Sequence, residues 1–175
     1  MAKHTDDLRN SELIESLKHK DKISVLFVCL GNICRSPAAE GILRAIVAEH
    51  GEEDRWEIDS AGIGAWHTGQ LPDQRMRVHA RRRGLYLTHH ARQVREADFE
   101  KFDLIVGMDE GNLSDLRELA PTVEAERRLV PMIDFVHMAT RYDYIPDPYY
   151  EGAEGFELVL DLLQDGLENM YNMLK

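Results

Sequence analysis

Residues 23–37 read ISVLFVCLGNICRSP, and they predict a strand, a tight loop and a helix in that order. The β-branched and aromatic run before Cys29 ends at a turn that contains glycine, which indicates a buried parallel strand. Ser36 and Pro37 are typical of an N-cap and a first helical residue, and the apolar spacing after them continues as a helix. Cys29 is therefore expected at the carboxyl end of a strand, beside the start of a helix.

The loop between Cys29 and Arg35 has the composition of an anion-binding turn. Successive backbone N–H groups at a helix N-terminus converge on one point and attract a dianion such as phosphate. Gly31 can adopt the positive φ that such a curl needs, and Asn32 is the next most tolerant residue. Arg35 can add a planar two-pronged donor, and the same positive field favours the ionised, nucleophilic form of the cysteine. The predicted phosphate-binding residues are Leu30, Gly31, Asn32, Ile33, Cys34, Arg35 and Ser36.

Two residues of this loop have more than one possible use. Ser36 either caps the helix or donates its hydroxyl to the Cys29 thiolate. Cys34 is either a small apolar residue that fills the base of the loop or a redox partner that captures oxidised Cys29 as a disulfide. The second use of Cys34 would make the site redox-sensitive, and the sequence is compatible with each alternative.

The remaining chain alternates strand and helix patterns, as expected for a parallel sheet covered on both faces. Helices are predicted over 73–83, 112–119 and the amphipathic stretch 156–174. Further strands are predicted over 56–59, 103–108 and 129–133. The last of these is placed at the sheet edge because Pro131 cannot donate a ladder hydrogen bond. We therefore predict an α/β fold with a doubly wound, four-stranded parallel sheet in one domain, and ligands of such sheets bind at the carboxyl ends of the strands.

Five stretches, in order along the chain, carry a resemblance to a known family. The first, CLGNICRSPAAEG from Cys29, resembles the phosphate-binding loop of the low-molecular-weight protein tyrosine phosphatases. Four others resemble segments of that family, with Gly111 in place of its usual serine: DSAG at 59–62, HHARQ at 89–93, MDEGN at 108–112 and IPDPYY at 145–150.

The resemblance spans residues 23–175 and implies one phosphatase domain of flavodoxin-like topology with helices on both faces of the sheet. Residues 1–22 lie outside it. They form an N-terminal extension that is either a tail or a short helix, with Leu13, Ile14 and Leu17 on one apolar face.

The resemblance also implies a chemistry. Cys29 attacks phosphorus to form a cysteinyl-phosphate, Arg35 holds the phosphoryl oxygens, and Asp147 protonates the leaving oxygen. Such a donor is needed because the phenol that leaves phosphotyrosine has a pKa of about 10. The implied substrate is a phosphotyrosine-containing protein or a small aryl phosphate, hydrolysed without metal or cofactor. Residues implied on the cleft walls, where aromatic faces favour an aryl group, are Leu30, Trp66, Tyr149 and Tyr150.

Two rival functions use the same loop. A thiol-dependent arsenate reductase shares this fold, but it needs further cysteines to pass the oxidation onward, and none lies beyond Cys34. A non-catalytic phosphate-binding module would have lost the nucleophile, the arginine or the acid. All three are present in this sequence, which therefore favours a hydrolase.

The net charge of the chain limits the kinds of partner that it can bind. With 21 basic and 32 acidic residues, the net charge is −11, so we expect neither nucleic acid nor a membrane as partner. The basic run over 75–83 is the exception to this acidic charge, and it is either a solvated helix face or a rim that attracts acidic phosphopeptides.

We find no apolar run typical of a signal peptide or a membrane span, and two cysteines are too few for a disulfide scaffold. A zinc site is not expected, because Cys29 and Cys34 lack a second ligand pair. We expect a cytoplasmic, monomeric enzyme.

Overall fold

A parallel sheet forms the centre of the molecule. The computed structural model describes residues 2–150 and 152–175, and for residues 2–9 and 150 it describes the backbone alone. The strands of this described part are β1 (Ile23–Cys29), β2 (Trp56–Gly62), β3 (Leu104–Gly107) and β4 (Leu129–Pro131). Their order across the sheet is β2-β1-β3-β4, and every neighbouring pair is parallel. This is the predicted doubly wound arrangement, and its central strand β1 is buried along its whole length.

Helices cover both faces of the sheet. In the described residues they are α1 (Ala2–Leu17), α2 (Arg35–Glu49), α3 (Gln74–Arg81), α4 (Asp98–Lys101), α5 (Glu110–Leu119), α6 (Val123–Glu126) and α7 (Ala153–Leu174). Alternate residues of β1 face opposite cores, because side chains alternate along a strand. Val25 and Phe27 pack in the core that contains α2 and α7, whereas Leu26 and Val28 pack in the core that contains α4 and α5. No helix in the described part of the chain is long and apolar enough to cross a bilayer.

Residues 2–17 of the N-terminal extension form helix α1. Helix α1 buries Ile14 and Leu17 in the same core as α2 and α7, with Leu13 partly buried beside them. Near its middle, Asn10 Nδ2 donates a hydrogen bond of 2.8 Å to Asp134, which follows β4. The extension is thus joined to the body of the protein by an apolar face and by a polar contact.

Several predicted boundaries are wrong by two or more residues. Strand β2 continues to Gly62 because its parallel pairing with β1 continues to Cys29. Strand β4 ends at Pro131, and the residues after it form a short 3-10 helix, Met132–Phe135. Helix α5 begins at Glu110, since the Asp109 side chain accepts the Asn112 N–H in a reciprocal capping box.

Candidate active site

The nucleophile candidate lies where the sequence predicted it. Cys29 is the last residue of β1 and is buried, and the next residues curl into the start of α2. Ser36 Oγ lies 3.0 Å from Cys29 Sγ. The N-cap position is occupied by Cys34, without a side-chain cap, so α2 begins at Arg35 and the predicted start at Pro37 is wrong. Of the two uses of Ser36, the structure favours the contact with the cysteine.

Asn32 holds the curl of the loop. Its φ is +58°, a left-handed conformation that asparagine tolerates better than most residues. The buried side chain donates to Ser36 Oγ (2.8 Å) and Ser60 Oγ (3.0 Å), and its oxygen faces His89 Nε2 (2.9 Å) and accepts the Arg92 N–H (3.0 Å). All four hydrogen-bonding positions of the amide are therefore used. Because Ser36 accepts from Asn32, its own hydrogen is available for the sulfur.

Ionisable side chains contact the hydrogen-bond partners of Asn32. His89 Nδ1 lies 3.1 Å from Glu40 Oε1 and 3.5 Å from Asp59 Oδ1. Ser60 Oγ donates to the same Glu40 oxygen at 2.9 Å. The ligand-type atoms of Glu40, Asp59 and His89 lie within 4.8 Å of one another, which resembles a metal cluster. Each of these atoms already has a hydrogen-bond partner in the scaffold, so we interpret the cluster as support for the loop.

The Arg35 guanidinium is fixed by hydrogen bonds to a carboxylate and to a backbone carbonyl. Its guanidinium is almost fully buried, and Nη1 donates to Asp109 Oδ2 at 2.7 Å and to the Ile145 carbonyl at 3.0 Å. Nη2 lies 3.6 Å from Asp147 Oδ2. Burial works to lower the pKa of Arg35, but the Cys29 sulfur and the two carboxylates together raise it above its ordinary value. The group therefore remains a cation and supplies positive charge at the floor of the cleft.

Asp147 lies at the mouth of the site on the loop before α7. Its side chain is 38% exposed, and its Oδ1 accepts the Tyr149 N–H at 3.0 Å. This local bond orients the carboxyl group, while the contact with Arg35 brings it toward the phosphate-binding loop. The structure therefore brings together the three residues that the resemblance assigned to catalysis.

One cleft of about 190 Å³ connects these groups, and a larger cavity between α1 and α6 contains none of them. Trp66 is 69% exposed and Tyr149 is 38% exposed, so both present ring surface at the mouth. His67, which the sequence analysis did not single out, lies in the same wall. The side chain of Tyr150 lies outside the described residues. The cleft is lined by Cys29, Leu30, Gly31, Ile33, Cys34, Arg35, Trp66, His67, Asp147 and Tyr149.

Cys34 differs chemically from Cys29. Burial above all, and then the charges of Asp73, Cys29 and Asp147, raise the pKa of the Cys34 thiol well above its ordinary value. Cys34 therefore remains a protonated thiol at neutral pH. Since the thiolate is the reactive form, Cys34 is not a competing nucleophile in the reduced enzyme.

Comparison with known proteins assigns the chain to a family. A model of the family described as low molecular weight phosphotyrosine protein phosphatase matches residues 24–175. The chain belongs to this family. It is 44% identical over 149 residues to the low molecular weight protein-tyrosine-phosphatase YfkJ of Bacillus subtilis, covering 85% of this chain and 93% of that protein. It is 47% identical over 134 residues to low molecular weight phosphotyrosine protein phosphatase 1 of Drosophila melanogaster, covering 76% and 84%.

Solved structures agree with the family assignment. The crystal structure of a protein tyrosine phosphatase from Entamoeba histolytica superposes with a TM-score of 0.83 at 38% identity, covering 86% of this chain and 96% of that one. The resemblance found in the sequence is therefore confirmed, as is the predicted fold class, and the chain is an enzyme of the protein-tyrosine-phosphatase class. The matched region begins one residue into β1, so α1 lies outside it.

Proposed function

We propose that this protein hydrolyses phosphotyrosine and other aryl phosphates through a cysteinyl-phosphate intermediate. The observation that carries the proposal is one cleft lined by Cys29, Arg35 and Asp147, in which the cysteine has a hydroxyl partner and the arginine is a buried cation. These are the nucleophile, the phosphate clamp and the proton donor that the reaction requires.

In the first step, the Cys29 thiolate attacks phosphorus and forms an S–P bond while the bond from phosphorus to the phenolic oxygen breaks. Arg35 and the amides of the loop hold the non-bridging oxygens, whose charge is stabilised in the transition state. Asp147 gives its proton to the departing oxygen, so a phenol leaves instead of a phenolate.

In the second step, the ionised Asp147 takes a proton from water as the water oxygen attacks phosphorus. The S–P bond breaks, inorganic phosphate forms and the thiolate returns. The Ser36 hydroxyl, 3.0 Å from the sulfur, can donate to the departing thiolate and stabilise its charge. Neither step uses an atom of a cofactor.

The cleft walls support an aryl substrate. Trp66 and Tyr149 offer exposed ring faces, and Leu30 is 44% exposed at the same mouth. A phosphotyrosine ring reaching the floor would lie between apolar surfaces, whereas a phosphoserine side chain is too short to use them. We expect the substrate to be a phosphotyrosine segment of a protein or a small aryl phosphate, and the enzyme to act in the cytoplasm as a monomer.

We also propose that Cys34 protects the nucleophile during oxidation. Peroxide converts the Cys29 thiolate to a sulfenic acid, and the Cys34 thiol then condenses with it, forming an S–S bond and releasing water. Oxidation removes the negative charge of Cys29, which is one of the causes that raise the pKa of Cys34. The loss of that charge favours deprotonation of Cys34 at the moment when it must attack. An external dithiol then reduces the disulfide and restores activity.

The mechanism is tested by assays on purified protein with a series of aryl phosphates whose leaving groups differ in pKa. Asp147→Asn should lose on the order of a hundredfold in kcat with phenyl phosphate and far less with p-nitrophenyl phosphate. Asp143→Asn, an exposed aspartate of the same loop, is the matched control. Equal losses across the series would assign the proton to another donor.

The nucleophile is tested separately. Cys29→Ser should abolish turnover and still bind inorganic phosphate, because the rest of the loop remains. Phosphate binding without turnover in the wild type would indicate the non-catalytic module, and thiol-dependent reduction of arsenate without aryl phosphate hydrolysis would indicate the reductase.

The redox proposal is tested with Cys34→Ser. This variant should keep most of its turnover, and it should recover little activity when peroxide treatment is followed by dithiothreitol. Full recovery would show that Cys34 is only a packing residue.

A further inference from the structure

Arg75, the first residue of the basic run, is half exposed, and its guanidinium contacts two aromatic rings. Its guanidinium carbon lies 5.2 Å from the ring centroid of Tyr149 and 4.9 Å from that of Phe156. Phe156 is buried, and its ring also stacks on His79, with centroids 5.5 Å apart and planes 4° from parallel. Arg75 therefore joins a fixed ring of α7 to the ring that forms one wall of the cleft.

A carboxylate fixes the direction of the guanidinium. Arg75 Nε and Nη2 donate to the two oxygens of Asp73 at 3.1 and 2.9 Å, which is a bidentate pair. Asp73 also caps α3, because its Oδ1 accepts the Arg75 N–H at 2.8 Å. The Asp73 N–H in turn donates to the carbonyl of Ile33 in the phosphate-binding loop at 2.7 Å.

These contacts form a continuous connection from the floor of the site to its mouth. Ile33 of the phosphate-binding loop bonds to Asp73, Asp73 pairs with Arg75, and Arg75 contacts the ring of Tyr149. The Tyr149 N–H then donates to the Asp147 carboxylate at 3.0 Å. The backbone and the ring of Tyr149 belong to one residue, so holding the ring also restricts the amide that orients the proton donor.

We propose that Arg75 is a positioning residue that holds Tyr149, and through it the Asp147 carboxyl group, at a set place relative to the phosphate-binding loop. The inference rests on the proposed function, because it needs Asp147 as the proton donor and Tyr149 as a wall of the cleft. Arg75 does not touch the reacting atoms. Its effect therefore falls on the step that needs the donor and leaves the phosphate site intact.

The test compares Arg75→Gln with Arg81→Gln, an exposed arginine of the same helix that lies outside the connection. Arg75→Gln should lower kcat with phenyl phosphate by about two- to fivefold, the equivalent of a half-exposed cation–π contact. The loss should shrink with p-nitrophenyl phosphate, whose leaving group needs less protonation. Inhibition by inorganic phosphate should stay unchanged in both variants, and Arg81→Gln should match the wild type with every substrate.

A double-mutant cycle identifies Tyr149 as the intermediary. In a Tyr149→Leu background the further change Arg75→Gln should have no additional effect on kcat with phenyl phosphate. An equal effect in both backgrounds would overturn the proposal, as would a loss that is the same for all leaving groups or no loss at all. Asp147→Asn measured on the same series separates the two claims. If that variant shows no leaving-group dependence, the proposed proton donor fails; if it does and Arg75→Gln does not, only the role of Arg75 fails.

Discussion

Replacement of Asp109 by asparagine would measure how far catalysis depends on the ion pair behind Arg35. The Asp109 carboxylate accepts a 2.7 Å bond from Arg35 Nη1, and the arginine side chain is only 3% exposed. Asparagine has nearly the same shape and is an equally good N-cap, so it can still accept the Asn112 N–H that begins α5. The substitution therefore keeps the cap of α5, but it places the amide NH2 where Oδ2 accepted from Arg35, so both the negative charge and the hydrogen bond to Arg35 are lost.

The expected size of the effect follows from the kinds of hydrogen bond involved. The bond that is lost joins two charged groups, and a hydrogen bond to a charged group contributes about 1.5–3 kcal/mol. A loss of about 1.5–3 kcal/mol corresponds to about a 10- to 150-fold loss in rate if it is expressed in the orientation of the clamp in the transition state. The bond from Arg35 to the Ile145 carbonyl remains, which keeps the guanidinium buried and limits the loss.

The assay is kcat/KM with p-nitrophenyl phosphate, together with the inhibition constant of inorganic phosphate and the melting temperature. Both kinetic quantities should worsen in Asp109→Asn, because the clamp holds phosphate in the ground state and in the transition state. Glu118→Gln, on the exposed end of α5, is the control and should change neither. If Asp109→Asn keeps kcat/KM within about twofold of the wild type at an unchanged melting temperature, the orientation of Arg35 does not depend on this ion pair.

Three further predictions concern stability. Leu17→Ala should lower the free energy of unfolding in urea by about 2–5 kcal/mol, because it leaves a cavity under α1; a change below about 0.5 kcal/mol would show that the extension is not anchored there. Asn32→Ala should be less stable than Asn32→Gly by about 1 kcal/mol, since both lose the side-chain bonds and only alanine is strained at positive φ; equal stabilities would argue against the left-handed turn. Hydrogen bonds from Arg83 and then His79 hold the pKa of Glu157 below its ordinary 4.5, so its stabilisation is present above that pH and is lost as the pH falls through the lowered value. The difference in melting temperature between the wild type and Glu157→Gln should therefore shrink from pH 7 to below pH 4, and a constant difference would refute the pairing.

Local patterns were enough to predict the elements that carry the chemistry. The run before Cys29 is β-branched and apolar because β1 is buried on both faces, and the periodic apolar residues of α7 face the core. Boundaries were less predictable, because they depend on partners. Helix α2 begins at Arg35 and not at Pro37, since Ser36 turns its hydroxyl to the sulfur and leaves the cap position to Cys34.

By itself, the sequence determined the order of strands and helices, the buried cysteine at the end of β1 and the family with its implied donor at Asp147. Only the tertiary structure decided what surrounds those groups. His89 reaches Asn32 across 57 positions, and Asp109 reaches Arg35 across 74. Such pairs leave no periodic signal, because they meet only after strands distant in the chain align their carboxyl ends at one edge of the sheet. The contacts of Arg75 also depend on the tertiary structure. Its charge is evident from the sequence, but the two rings that it contacts belong to the Asp147 loop and to α7.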